Sequence, residues 1–413
     1  MNYFCIVKRF KTFIILTIIC LISLNTNEIS ASNSVQSLTT DEDSIEISLL
    51  TCAPGQEVYS LYGHTAIRYN DKKKGIDIAI NYGMFSFKAP FFILRFIFGL
   101  TDYEMGIIPF DAFCEEYRYE NRSVTQQVLN LTAKEKKEII KAIEKNYLPE
   151  NRVYRYNYFY DNCTTRARNI LLDNIDGEVC YPNKKESYPS FRDLIHSFND
   201  NAPWARFGND ILLGAKADRK TNLNEYQFLP YNLMYDFEKA TIKNKNGITR
   251  PLILSQHDVV KCQTSINNEK GFPLRPSTCA WIFLGCIIIT TIIEICFKKN
   301  FWLFDTLLIF IYGCIGLILL MMFFSKHPTT STNLQIFLFN PLSLFYIYNI
   351  VKRNRTNRLW YYLSGSIACF FIGGLFQDYA EGTYILALSL LIRCIYNMHL
   401  ISKDNAKMYV PSA

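Results

Sequence analysis

From residue 278 onward the chain carries apolar runs of bilayer length, and these constrain everything that precedes them. The runs are TCAWIFLGCIIITTIIEICF (278–297), FWLFDTLLIFIYGCIGLILLMMFF (301–324), LQIFLFNPLSLFYIYNIV (334–351), RLWYYLSGSIACFFIGGLF (358–376) and GTYILALSLLIRCIYNMHL (382–400). About 20 apolar residues suffice to cross a hydrocarbon core of about 30 Å. The runs therefore predict about five transmembrane helices over 278–400, the third broken by Asn340-Pro341. Lys298 and Lys299 separate the first two runs, and Lys352, Arg353, Arg355 and Arg358 the third and fourth. Lys403 and Lys407 follow the fifth, whereas the opposite loops hold only Lys326, Asp378 and Glu381. Positive loops stay cytoplasmic. The region before 278 and the loop SKHPTTSTN (325–333) are then both outside. Glu294, Asp305 and Arg393 lie within the runs, near their ends. They line a polar pathway, pair inside the bundle, or snorkel.

The N-terminus gives an independent cue to export. Lys8, Arg9 and Lys11 precede the apolar FIILTIICLISL (13–24), and small residues follow in ISAS (29–32). This is the layout of a signal peptide over 1–32, with an uncleaved anchor as the alternative. The expected organisation is an exported mixed domain over 33–175, a helix- and loop-rich extension over 176–277, the membrane domain over 278–400 and a cytoplasmic tail over 401–413. Of thirteen cysteines, Cys52, Cys114, Cys163, Cys180 and Cys262 fall in the exported part. Five is odd, so at least one is free unless it pairs between chains. No CxxC or Cys/His spacing suggests a metal, and no cofactor is expected. The charge of +7 is scattered, with no basic stripe, which argues against nucleic acid as a partner.

Within 33–175 the pattern is mixed. IEISLLTCA (45–53), HTAIRYN (64–70), DIAINYG (77–83), TQQVLNLT (125–132) and YRYNYFY (154–160) read as strands, and the turn-rich NDKKKG joins the second and third into a hairpin. TAKEKKEIIKAIEKNYL (132–148), capped by Thr132, and DNCTTRARNILLDNI (161–175) read as helices.

Cys163 stands at the start of the second helix, behind Asp161 and Asn162. Free N–H groups and the positive end of the helix dipole favour a thiolate there. An inert buried thiol fits the same position. A nucleophile needs a base, and His64, after Gly63 and leading into a strand, is the candidate. With the hairpin centred on Asp71 to Lys74, residues 64 and 81 face each other. Asn81 would then fix the imidazole, completing a Cys/His/Asn set. Arg166 and Arg168, one turn on, either steer a phosphate or form a solvated face. The segment MFSFKAPFFILRFIFGL (84–100), with Phe91 and Phe92, either dips into the outer leaflet, lines an acyl groove, or packs in a core. His327, in the outer loop, is a candidate for closing over the site.

The histidine strand precedes the cysteine helix. That order resembles a circularly permuted papain-like domain of the NlpC/P60 type. LLTCAPGQEVYSLYGHTAIRY (49–69), INYGMFSFKAPFFILRFIFGLTDYEMG (80–106), YRYNYFYDNCTTRARNIL (154–171) and FSKHPTTSTNLQIFLFNPL (324–342) together resemble the Bacteroidota-type lipoprotein N-acyltransferase (Lnb) family. The resemblance implies an α+β exported domain followed by a helical membrane domain, in a multi-pass protein of the bacterial inner membrane with its catalytic domain in the periplasm. It implies Cys163 as nucleophile and His64 as base. The partners would be a phospholipid acyl donor and a diacylated lipoprotein acceptor, with a Cys163 thioester between them. The Cys163 N–H, helped by Asn162, would hold the oxyanion. Two other readings stay open: a cysteine peptidase or amidase acting on peptidoglycan, and a non-enzymatic lipid-binding or scaffold protein.

Overall fold

The computed structural model describes residues 44–57, 59–85, 90–262, 272–352 and 358–408. The signal region, Phe87 of the phenylalanine-rich segment, and Arg353 and Arg355 lie outside the described residues.

The exported part is built on a seven-stranded antiparallel sheet. Its strands are β1 (Ile45–Cys52), β2 (His64–Asp71), β3 (Ile76–Met84), β4 (Asp102–Pro109), β5 (Val124–Leu129), β6 (Val153–Arg155) and β7 (Ile253–Val260), in spatial order β7-β5-β1-β2-β3-β4-β6. β1 is central and buried along nearly its whole length. The β2–β3 hairpin turns at Asp71, whose Oδ1 accepts the N–H groups of Lys73 and Lys74 at 3.1 Å each. Side chains of this kind mimic a backbone turn and set where a hairpin closes.

Helices α1 (Phe92–Ile97), α2 (Phe110–Tyr119), α3 (Ala133–Tyr147) and α4 (Cys163–Leu172) intervene between the strands or follow them. α2 buries Phe110, Phe113, Cys114 and Tyr117 against Leu50, Cys52, Ala66 and Ala79 of the sheet. α3 starts at a capping box, Thr132 with Glu135, and buries Ile139, Ile140 and Ile143. α4 packs across β2 and β3. Three further helices, α5 (Phe191–Asn199), α6 (Pro203–Leu212) and α7 (Pro230–Lys239), follow.

Two local expectations change. YRYNYFY is a strand only through Arg155. Beyond it Asn157 Oδ1 accepts the Phe159 N–H at 3.3 Å and the Asp161 N–H bonds back to Asn157 O at 2.9 Å, so the chain curls instead of extending. The stretch expected to be helix and loop also supplies β7, which pairs with β5 at the sheet edge. The seven-stranded sheet therefore draws one strand from beyond residue 175.

The C-terminal part is helical. α8 (Pro276–Phe297) and α9 (Trp302–Phe323) are 22 residues each, and α11 (Thr383–Met408) is the longest. Residues 334–351 form two 3₁₀ segments and a short helix, interrupted at Asn340-Pro341. Among the described residues four segments are long and apolar enough to cross a membrane, and α10 (Leu359–Gly373) is a shorter apolar helix of 15 residues. A Cβ on Gly316 would lie 2.1 Å from Phe339 O, and one on Gly313 would lie 2.5 Å from Leu344. The broken span thus packs against α9 only because those two positions lack side chains.

Glu294, Asp305 and Arg393 pair inside the bundle. Arg393 is fully buried and bonds Asp305 Oδ1 at 2.8 Å, Thr291 Oγ1 at 3.0 Å and the Glu294 carboxylate. The cluster ties α8, α9 and α11 together. The exported part docks on the outer end of the bundle. There Asn333 Nδ2 donates to Ile211 O at 2.7 Å, Gln335 Nε2 to Asp210 O at 2.8 Å and Gln377 Nε2 to Leu213 O at 3.0 Å.

Candidate active site

Asn162 sets the start of α4. Its Oδ1 accepts the Thr165 N–H at 2.9 Å, and the Thr165 hydroxyl accepts the Asn162 N–H at 2.9 Å. The Arg166 N–H goes to Asn162 O at 3.0 Å. The first-turn N–H groups of Cys163 and Thr164 have no acceptor within their own helix. Cys163 thus sits half-buried at the positive end of α4, against β2 and β3.

His64, at the start of β2, lies close enough to the Cys163 thiol for each to shift the other's protonation. Its Nε2 lies 3.0 Å from Asn81 Oδ1. An amide oxygen only accepts, so Nε2 carries the proton and Nδ1 is the basic nitrogen. The hairpin register differs from the expected one, because Asn81 stands opposite Ala66 and not His64. The offset is two residues, which keeps both side chains on one face of the sheet. The imidazole reaches Asn81 diagonally.

Electrostatically the pair is poised for proton transfer. Burial pushes the Cys163 thiol up. The charge and hydrogen bond of His64, the Thr65 backbone N–H and the Thr164 hydroxyl outweigh it and hold the thiol below its ordinary value. Burial pushes His64 down, and Cys163 and Asn81 more than reverse this, so the imidazole is raised. Each group favours the charged form of the other. Thr164 is fixed from below by Thr65, hydroxyl to hydroxyl at 3.0 Å.

Two glycines make the geometry possible. Gly63 has φ 80°, and a Cβ there would lie 2.6 Å from Cys52 O. Gly83 has φ 102°, and its Cβ would lie 3.8 Å from the Cβ of Cys163, beside the Tyr103 ring. Gly83 falls where the β3–β4 pairing slips between Asn81 and Met84. Sequence reasoning did not single it out, although an isolated glycine in a strand is a sign of a bulge or a close approach.

The remaining expected residues divide. Asn162 is at the site, but its amide also donates to Tyr158 O at 3.0 Å and Phe228 O at 2.9 Å. Its side chain is fully used in building the helix start and keeps no N–H to offer a ligand. Arg166 grips Asp161 with bonds of 2.6 and 2.8 Å and lies 3.6 Å over the Tyr154 ring. Arg168 is buried, donating to Asn224 O at 2.6 Å and to Asn169. Both guanidiniums are engaged within the protein, Arg168 buried and Arg166 partly exposed.

Phe91 is 77% exposed and stands in the left-handed region at φ 56°. Phe92 belongs to a run of rings that begins beside Cys163: Tyr156 on Tyr103 at 4.0 Å, Tyr103 on Phe85 at 4.7 Å, Phe85 on Phe92 at 6.0 Å and Phe92 on Phe96 at 6.4 Å. Phe96 then meets His327 at 5.7 Å. His327 Nε2 donates to Phe96 O at 3.0 Å, and burial keeps its imidazole below the ordinary value. The outer loop therefore holds the phenylalanine-rich segment: His327 bonds Phe96 and not the cysteine. No cluster of potential metal ligands occurs among the described residues.

Two family models match the chain, and between them they cover most of it. The Lnb N-terminal periplasmic domain matches residues 33–196, and the Lnb transmembrane domain matches residues 267–405. The chain belongs to the Lnb family. This Lnb chain is accordingly a membrane protein with a periplasmic domain, and the end of its bundle that carries the sheet is the periplasmic end. Comparison with curated proteins and with solved structures finds no match. The Lnb periplasmic match includes His64, Asn81 and Cys163, and the transmembrane match includes His327.

Proposed function

We propose that this Lnb-family chain is a thiol acyltransferase of the bacterial inner membrane that moves an acyl chain from a phospholipid to the α-amine of a lipoprotein's lipidated N-terminal cysteine. The observation that carries the reading is the Cys163–His64–Asn81 set at the head of an aromatic run that ends on the outer membrane loop.

The Cys163 thiolate attacks the ester carbonyl carbon of the donor. The N–H groups at the start of α4 take the developing oxyanion. The carbonyl re-forms as the ester C–O bond breaks, and the His64 imidazolium gives its proton to the leaving glycerol oxygen. A thioester and a lysophospholipid result. The acceptor amine then attacks the thioester, His64 takes its proton, the C–S bond breaks and the thiol is regained as an amide forms. Asn81 keeps Nε2 protonated, so the proton moves at Nδ1 throughout. Both substrates are lipids. The exposed Phe91, Ile93 and Leu94 on α1, at the periplasmic end of the bundle, suit contact with the outer leaflet.

Intact mass analysis of lipoprotein N-termini from cells with and without the chain tests the acceptor. The proposal predicts an added acyl group on the α-amine only in its presence. A free amine in both would contradict it.

A further inference from the structure

α6 separates two cavities of opposite character. On one side lies an apolar space of about 600 Å³ between α8 and α9, walled by Phe207 and Ile211 of α6, Phe283 of α8, and the α9 face from Phe304 to Leu319. Its Tyr312 hydroxyl is spent on Leu386 O at 3.1 Å. A space with no polar partners does not hold water, and the rim residues Leu307, Ile311 and Ile318 are exposed on the bundle surface. The space is thus open sideways to lipid. The α9 stretch from Phe304 to Leu319 is about 22 Å long. That exceeds the roughly 15 Å depth of one leaflet.

On the other side lies a charged space of about 520 Å³, lined by Arg192, Arg206, Arg275, Asp210, Asp378 and Glu381 among others. Both spaces share α6 and the first turns of α11, where Tyr384 lines the charged space and Leu386 the apolar one. α6 lies at the level of the bilayer surface: the Trp204 indole N–H donates to Leu274 O at 2.8 Å, just before α8 begins, and its ring meets Phe272 at 5.8 Å. Tryptophan with one wet and one apolar side favours that level.

We infer that the two spaces form one binding site for a zwitterionic phospholipid of the periplasmic leaflet, with an acyl chain in the α8–α9 groove and the head group above α6. Charge complementarity fixes the head group. Arg192 and Asp210 are buried and paired at 2.7 Å. The mouth instead offers the exposed Arg275, held only at 3.4 Å by Glu381, together with the exposed Asp378. A phosphate on Arg275 and an ammonium between Asp378 and Glu381 answer both signs. A head group carrying only negative charge leaves the exposed Asp378 without a cation, whereas Glu381 already accepts from Ser277. The inference concerns binding and does not depend on the reaction assigned to Cys163.

The test uses the full chain in lipid nanodiscs with two photoactivatable probes, a phosphatidylethanolamine and a phosphatidylglycerol, each with the reactive group on an acyl chain. Adducts are mapped by peptide mass spectrometry. The ethanolamine probe is expected to label α8 and α9 peptides bordering the groove above the level seen at the exposed Leu375 and Phe376. A Cβ on Gly208, which lines the groove, meets nothing within 4 Å. Gly208→Trp therefore fills the space without a backbone clash, and is expected to cut groove labelling about tenfold. Gly208→Ala is expected to leave it intact, as is labelling at Leu375 in either variant. Leu307→Trp, at the exposed rim, repeats the test should Gly208→Trp not fold. Arg275→Gln is expected to lower capture of the ethanolamine probe severalfold. Groove labelling unchanged by either tryptophan means passing annular lipid and overturns the site. Equal labelling by the glycerol probe overturns the head-group assignment.

Discussion

Two buried polar clusters in this chain look alike on paper and differ in what they leave open. In the membrane, Arg393 meets Asp305, Glu294 and Thr291, Asn397 Nδ2 adds a bond to Asp305 at 3.0 Å, and the Phe301 N–H goes to Glu294 at 2.6 Å. Its one guanidinium and two carboxylates are enclosed within the bundle and bonded to one another. In the periplasmic domain, Cys163, His64 and Asn81 are equally distant in sequence, yet their cluster has an open side. Gly83 presents no side chain to the cysteine, and two helix N–H groups lack acceptors in their own helix. Saturation marks a clamp, whereas a poised pair with room beside it marks a place for chemistry. The contrast also decides among the readings available for the intramembrane charges: they pair.

The comparison breaks most directly at the open cluster. Cys163→Ala is expected to abolish acyl transfer, and His64→Ala to lower it by about 10²–10⁴-fold. Both should leave the thermal midpoint of the purified protein close to that of the parent. A large loss of stability with either would make the site a structural one. The closed cluster should behave in the opposite way. Arg393→Met strands two carboxylates in the bundle and is expected to cost about 3–5 kcal/mol, the penalty for breaking a buried pair, read by thermal unfolding in detergent. Transfer per folded molecule should be unchanged. Restoring neutrality with Glu294→Gln and Asp305→Asn in the same chain should recover much of the loss.

A pH measurement sharpens the electrostatic half. His64 holds the Cys163 thiol below its ordinary value against burial. Removing the imidazole leaves burial less opposed, so the thiolate forms at higher pH. The midpoint of iodoacetamide alkylation at Cys163 should therefore move upward in His64→Ala. An unmoved midpoint would remove His64 from the pair. The smallest effect is expected at Arg166. Its partly exposed ion pair with Asp161 is worth about 0.2–1 kcal/mol, and Arg166→Gln should leave transfer near its parent rate. A large change in the donor's apparent KM would instead return Arg166 to substrate binding.

Much of the frame was legible because local signals agreed with each other. The strands of β1 to β3 follow from alternation around a turn, α3 from its cap and apolar stripe, and the membrane half from run length and loop charge. A helix-start thiol and a glycine-led histidine strand point to Cys163 and His64, and the fold brings the two together. What stayed hidden depends on distant partners. β7 is a strand because β5 offers an edge, and nothing in its own sequence says so. The aromatic run through Asn157 has the composition of a strand, but an asparagine side chain bends it into a turn. Arg166 and Arg168 look like a free basic face until Asp161 and the Asn224 carbonyl are brought alongside. The hairpin register lies two residues from the expected one, a shift that keeps Asn81 on the face of His64.

The central claim is that Cys163 carries the acyl chain. Intact mass spectrometry of the full chain, incubated with a phospholipid and no amine acceptor, addresses it most directly. The account predicts a mass increase of one acyl group on Cys163 that hydroxylamine removes, absent in Cys163→Ala and strongly reduced in His64→Ala. An acyl adduct that resists hydroxylamine, or that persists in Cys163→Ala, would contradict it.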